Sequence, residues 1–467
     1  MWKWKAESDN NDPLVARSET QQSKAKFVTG STMRHVVVMS LSSSIGLMAL
    51  FLVDLIDMYF LSLLGEIELA SAIGYAGSIL FFTTSVCIGL AIAMGALVSK
   101  AIGAGDRERA KCYVVNVFAV VILSTAALAT AVWILIPFLV ELLGARGRAA
   151  DLSIAYLRIM IPSMPVLGLA ITSGAALRAV GDAKRSMYST LSGGAVNAVL
   201  DPIFIFGFNL GVEGAAIASV FARFAILAVA FYPLYKHHRL ITRFQSSYFL
   251  SDLKPILAIG IPAILTNIAT PFGNAYVTAS IAEFGNSVVA GMSIVGRLLP
   301  VAFGIVFAVS GAVGPIIGQN YGANNMTRVQ KTITDALLFL TGYVTLISIV
   351  LIFSPDWISS LFNADPEAAA IVRIFCLYVG FTYIFAGTTF VGNAAFNNLG
   401  KANYSTVVNW GKATIGTIPF VYFGALWYEA AGVILGQALG NVVFGILSVV
   451  SAYALVNHKK KQELAGI

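Results

Sequence analysis

Of the 23 acidic residues in this 467-residue chain, Asp54, Asp57 and Asp201 fall deep inside apolar stretches. A charged carboxylate at the centre of a bilayer costs about 2.5–3.5 kcal/mol on insertion scales, so acids there are kept for a use. Asp54 and Asp57 are three residues apart, and Asn197 and Asp201 are four apart. On a helix each pair shares a face, with Cβ atoms about 5–6 Å apart. Two neighbouring carboxyls in a low-dielectric site do not both ionise near neutral pH, so the first pair is expected to titrate as a unit and hold a proton. The Asn197 amide can donate to a charged Asp201 or accept from a protonated one. These four residues form a candidate proton-binding constellation. Asp54, close to the outer end of its stretch, suits a structural bond to a neighbouring helix equally well. Asp335 is expected to reach water near the end of the ninth apolar stretch.

The elements that must position these residues follow from composition. Apolar residues make up 58% of the chain and charged residues 11%, with a mean hydropathy of +0.81. A soluble domain of this size needs far more charge on its surface. Apolar runs of twenty or more residues recur without the alternation of barrel strands, so they predict membrane-spanning helices. Twelve are expected, at roughly 36–63, 69–98, 112–140, 151–178, 186–208, 211–235, 254–282, 287–318, 330–354, 366–396, 404–425 and 429–456. Residues 1–30 have no apolar core, so no cleavable signal peptide is expected.

The net charge of +7 is an orientation signal and not a nucleic-acid surface. With both termini cytoplasmic, 23 of the 30 Lys and Arg fall in cytoplasmic segments, and only Arg146 and Arg148 sit in an opposite loop. Trp133, Trp357 and Trp427 lie near the outer span ends, as interfacial anchors do. Arg158, Arg297, Arg373 and Lys412 lie in or near spans, where snorkelling or a bond to a carbonyl is the default. Cys87, Cys112 and Cys376 are too widely spaced for a disulfide framework or a metal site. With no HExxH and no Ser or Cys beside a buried His, neither an enzyme nor a resident cofactor is expected.

The chain divides at the polar segment 236–253, where His237 and His238 read as a solvated basic loop. Gly95–Ala104 (GALVSKAIGA) matches Gly314–Ala323 (GPIIGQNYGA), each followed by an Arg six residues past its last Gly, at Arg109 and Arg328. Gly181–Ser186 matches Gly400–Ser405 at the same offset of 219 residues. Six spans per half make these parallel repeats. The expected organisation is therefore a polar cytoplasmic segment 1–35, an N-lobe 36–235, a linker 236–253, a C-lobe 254–456 and a basic tail 457–467.

With these residues in place, the chain resembles the multidrug and toxic compound extrusion (MATE) family over nearly its whole membrane length. The segment LIDMYFLSLLGEIELA is similar to the family's first-helix stretch, which places the family acid at Asp57, eight residues before Gly65. The segment LRAVGDAKRSMYSTLSGGAVNAVLDPIFIFGFNLGVEGAAIASV carries the Arg-x-x-Gly-Asp loop, Asn197, Asp201 and Pro202. The resemblance implies an all-α polytopic fold of twelve transmembrane helices in two pseudo-symmetric six-helix bundles around a central cleft. It implies export of bulky cationic or amphipathic compounds by a monomer in the inner membrane, and places Tyr156, Asn197, Asp201 and Ser219 on the N-lobe pocket. Acids that some members carry in spans seven and ten are absent here, which by the resemblance points to the DinF-like branch, with coupling in the N-lobe at Asp57, Asp201, Asn197 and Asp54, by protons or alternatively by sodium at Asp57 and Asp201. A family proline in the first span is Ser42 in this chain. A lipid-linked oligosaccharide flippase and a major-facilitator transporter are the competing readings. Flippases of the wider superfamily often have fourteen spans and a cationic cavity. Gly103–Lys111 (GAGDRERAK) only loosely resembles the facilitator loop.

Overall fold

A computed structural model describes residues 25–62 and 67–464. The N-lobe spans are α1 (Thr32–Ser62), α2 (Ile67–Gly103), α3 (Arg107–Leu142), α4 (Gly147–Ala179), α5 (Ala183–Gly207) and α6 (Gly211–Lys236). The C-lobe spans are α7 (Ser246–Ala282), α8 (Asn286–Gly322), α9 (Met326–Ile352), α10 (Pro366–Asn398), α11 (403–427) and α12 (430–464). A short helix, Pro355–Leu361, precedes α10. The last two spans run on as one helical stretch only in appearance. The chain turns back at Tyr428 and Glu429, whose φ is 51°. Gly432, Gly436 and Gly440 then lie against the backbones of Gly424, Phe420 and Gly416, in the order of an antiparallel hairpin. The count of twelve therefore holds. Two boundaries move: α7 begins at Ser246, inside the expected linker, and α12 runs through the expected tail to Leu464. Residues 1–24, Gly65 and the side chain of Asp54 lie outside the described residues.

The repeat extends well beyond the two sequence motifs. Backbone turns with positive φ recur at the same offset, with Gly105, Gly144 and Gly181 in one half and Asn324, Asn363 and Gly400 in the other. Asn tolerates the left-handed region better than most residues, so it can replace Gly there. Asp106 and Asn325 cap α3 and α9 by accepting from the amides of Arg109 and Arg328. α4 breaks into a 3₁₀ turn at Ile161–Ser163, and α10 does so at Gly380–Thr382.

The lobes meet at the face that carries both the 236–245 connection and the C-terminal helix end, here called the basic face. α2 crosses α8 there without side chains between them. A Cβ added at Gly103 would sit 2.0 Å from the Gln319 carbonyl oxygen, and one at Gly322 would sit 2.0 Å from that of Lys100. Lys100 and Gln319 are themselves equivalent under the repeat, so the seam is two-fold symmetric. Two swapped helices reinforce it: α1 packs on α8 and α9, and α7 packs on α2 and α3. Asp252 of α7 is fully buried, pairs with Arg109 and accepts from Asn116 Nδ2 at 2.7 Å. On the other side, Thr32 of α1 donates to Asp335, the equivalent of Asn116. Asp335 is 7% exposed, so it is a buried clamp and not the water-reaching acid expected from its position.

Residues 25–31 lace the lobes together. Lys26 Nζ donates to the Gly181 carbonyl at 2.6 Å, and the buried Phe27 gives its amide to Gln319 Oε1 at 2.9 Å. Arg328 donates to the carbonyls of Phe27, Thr29 and Gly30. His238, expected to be a solvated loop residue, is instead held 2.8 Å from Asp182 Oδ2. Burial alone would raise the Asp182 carboxyl, but hydrogen bonds from His238 and Arg185 outweigh it and hold the pKa at about 2.

Toward the opposite face the same stripes of α2 and α8 separate. Phe82 and Val301, equivalent under the repeat, are 50% and 60% exposed. Gly77 and Gly296, also equivalent, have open space around their Cα atoms. The molecule is a V, closed at the basic face.

Two measurements test this seam. Overpacked contacts cost about 1–3 kcal/mol, so Gly103→Val and Gly322→Val in detergent should melt below wild type, whereas Gly77→Val and Gly296→Val should not. Equal melting temperatures for all four would rule out a tight crossing. The low Asp182 pKa means its bonds stabilise the fold fully above about pH 4 and are lost as pH falls through about 2. Asp182→Asn should therefore lower the melting temperature at pH 7, with the two proteins converging near pH 2.

Candidate functional site

Small residues bring α1 and α5 together. Gly46 lies against Thr190, and Gly194 lies against Val53, in parallel register. One turn further along, Asp57 and Asn197 come face to face. α6 runs antiparallel to α5, with Gly193 against Ile226 and Gly214 against the Phe204 backbone, which puts Ser219 level with Asn197.

The result is a compact polar node inside the N-lobe. Asn197 Nδ2 donates to Asp57 Oδ1 at 3.0 Å and to Asp201 Oδ2 at 2.6 Å. Ser219 Oγ donates to Asn197 Oδ1 at 3.4 Å. One amide thus bridges two carboxyls and spends both of its N–H groups doing so. Asn197 is 4% exposed and Asp201 fully buried, and Asp201 Oδ1 has no hydrogen-bond partner. A buried carboxylate oxygen without a donor is costly, so this atom is where a proton or a small cation would add a bond. Four of the expected residues, Asp57, Asn197, Asp201 and Ser219, are therefore brought together. Tyr156 packs beside them among Leu61, Ile205 and Val212.

Arg223 belongs to the same lobe core and was not singled out from the sequence. It is 8% exposed, and its Nη1 donates to the Met160 carbonyl at 3.0 Å and to Ser163 Oγ at 2.6 Å. It thereby fills the gap left by the 3₁₀ turn that Pro162 imposes on α4. The available signal was a charge four residues after Ser219 in an otherwise apolar span.

The C-lobe has no counterpart to this node. Under the repeat, Asp57, Asn197, Asp201 and Ser219 correspond to Tyr276, Gly416, Phe420 and Ala438. The polar residues of the C-lobe gather nearer the basic face, where Asn409 donates to Asn393 at 2.9 Å and Ser405 to Asn397 at 3.2 Å. The N-lobe equivalent of the second pair is Arg178, whose Nη1 donates to Ser186 at 2.8 Å. Among the described residues, no carboxylate lies within ion-pair distance of Arg178, Arg223, Arg297 or Lys412, and no cluster of metal-ligating side chains occurs.

Comparison with known proteins places this architecture. The MatE family model matches residues 42–203 and 262–423, once in each half. An FAD transporter of Shewanella oneidensis is 28% identical over 420 residues, covering 88% of this chain and 92% of that protein. The multidrug export protein MepA of Staphylococcus haemolyticus is 25% identical over 443 residues, covering 92% and 95%. The Vibrio cholerae MATE transporter VcmN, solved in its bent form, superposes with a TM-score of 0.85 at 24% identity, over 92% of this chain and 98% of that one. A two-lobe, twelve-span helical membrane protein matched by this model in both halves is a transporter and not an enzyme, and the chain belongs to the MATE family of efflux transporters.

Proposed function

We propose that this transporter is a proton-driven exporter of bulky amphipathic compounds, with Asp57 and Asp201 as the coupling acids. The observation that carries this reading is the single Asn197 amide shared by two carboxyls, one of which keeps a buried oxygen without a donor. In the doubly ionised state, two charges in a low-dielectric lobe repel each other, and the Asn197 amide is a donor they share. A proton arriving on Asp201 relieves that repulsion and turns an acceptor into a donor. The contact between α1 and α5 then changes strength, and α1 also packs on the C-lobe at the seam. Protonation on one side of the membrane is thereby linked to the closure of the two lobes. Ser42 replaces the family proline, so α1 runs as one unbroken helix and has no proline hinge to bend at.

The basic face is cytoplasmic in this proposal, which puts both termini inside the cell and opens the V outward across the inner membrane. One chain holds both lobes, so a monomer suffices. Inward proton movement draws about 2.3 kcal/mol per charge per 100 mV from the membrane potential. Cationic cargo would be retained by the ionised acids and released when protons replace it. A second class of cargo is favoured by the FAD transporter relative, since a flavin dinucleotide is an amphipathic anion. Sodium at Asp57 and Asp201 is the alternative coupling ion.

Purified protein in liposomes under an imposed pH gradient tests the assignment. Asp57→Asn and Asp201→Asn should each abolish gradient-driven transport while eluting as folded protein, and a sodium gradient alone should leave wild type idle. Intact proton-driven transport in both variants would remove these acids from the mechanism. Transport that follows sodium and ignores pH would reassign the ion.

A further inference from the structure

We infer that the wall of the cleft around Arg297 is a subsite for an oxyanion carried by aromatic cargo, which rests on the export reading above and names its substrate class. Arg297 lies in α8, the most enclosed of the spans, and about 16 Å along the helix from Asn286 at 1.5 Å per residue. Its side chain is exposed. The face of α8 that meets the N-lobe can be traced at seven-residue steps from the seam as far as Gly304. Gly318 packs on Ser99 of the N-lobe, Gly311 faces the Arg178 guanidinium, and Gly304 lies against Met48 of α1. Between Gly304 and Arg297 the helix kinks at Phe303, and beyond the kink its exposed face carries Arg297 and Val301. Gly296, next to Arg297, has open space around it, and in this proposal the exposed stretch of α8 lies on the cleft wall. The N-lobe wall opposite carries Ser78, the equivalent of Arg297, and the exposed rings of Phe81 and Phe82.

A guanidinium at this depth is expensive unless it meets water or an anion, and no carboxylate of the described residues pairs with it. Arg158 differs: its carbonyl accepts from Trp133 Nε1 at 3.4 Å, which ties it to the interfacial belt. At the floor of the cleft, Arg178 reaches from the N-lobe to within 3.8 Å of where a Gly311 Cβ would lie. The charges are thus sorted. Both coupling acids sit inside the N-lobe and are engaged with Asn197, while the cations on the cleft stripe are guanidinium groups. A guanidinium holds phosphate or carboxylate oxygens in a bidentate fork, which an ammonium does not. Phe81 and Phe82 offer stacking faces for the aromatic body of the same molecule. Export of an anion and import of a proton both run with an inside-negative potential, so the two movements do not oppose each other electrically.

Flavin mononucleotide and riboflavin share one ring system and differ by a phosphate, so they isolate the oxyanion. Ethidium serves as the cationic control. In liposomes holding the full chain under a pH gradient, wild type should move flavin mononucleotide faster than riboflavin. Arg297→Gln should cut flavin mononucleotide transport by about tenfold or more and leave riboflavin nearly unchanged, which also reports a folded variant. Arg297→Lys should keep an intermediate rate, because charge survives and the fork does not. Equal losses for both flavins in Arg297→Gln, or a wild type that moves ethidium and ignores flavin mononucleotide, would overturn the assignment. Failure of all three probes to respond to any gradient would instead strike the coupling reading, and this inference would fall with it.

Discussion

The contact on which the rest of this molecule depends is the crossing of α2 and α8 at Gly103 and Gly322. Backbone meets backbone there, so the two lobes close to a distance that no other residue type permits. The swapped helices α1 and α7 can reach the opposite lobe only because the lobes are this close. Their clamps, Thr32 to Asp335 and Asp252 to Arg109 and Asn116, then lock the face from both sides. Parting of Phe82 from Val301 at the other end follows from the same geometry. Two rigid bundles pinned at one end must diverge at the other, and alternating access requires that this pin be exchangeable. Hydrogen bonds from Lys26, Phe27 and Arg328 are well suited to that, because they can break without exposing a large apolar surface.

Much of this was legible in the sequence, and the reasons are specific. Twelve apolar runs and the matching GALVSKAIGA and GPIIGQNYGA segments report backbone requirements that leave a residue signature. The four-residue spacing of Asn197 and Asp201 also fixed their shared face. The bridge from Asn197 to Asp57 was not legible, because it depends on Gly46 and Gly194 bringing α1 against α5. Asn324 and Asn363 hid two of the repeated turns by substituting for Gly. The lacing of residues 25–31 left no local pattern, since its partners Gln319, Asn320 and Arg328 are some three hundred residues away. Asp252 read as linker and Asp335 as solvated for the same reason: each is buried by a helix from the other lobe.

The repeats also show how one scaffold separates two tasks. The lobes keep the same turns, caps and helix breaks, down to the 3₁₀ turns of α4 and α10. Yet the positions that build the acidic node in one lobe hold Tyr276, Gly416, Phe420 and Ala438 in the other. Arg223 braces the break in α4, whereas its C-lobe equivalent is Val442. A polar node needs exact satisfaction of its donors and acceptors, and a second node would double that demand. In the proposed coupling, confining it to one lobe leaves the other free to serve the cargo.

That division has an electrostatic consequence. Attraction by charge alone would couple the proton only to cations. In the proposed coupling the charge is only one lever: Asp57 and Asp201 meet through Asn197 at the contact of α1 with α5, so protonation also alters that packing. α1 in turn rests on α8, the helix that carries both the seam glycine Gly322 and the cleft residue Arg297. A proton can therefore act on cargo of either sign through the position of a helix, and the charge of the cargo is read separately by the residues on the cleft wall.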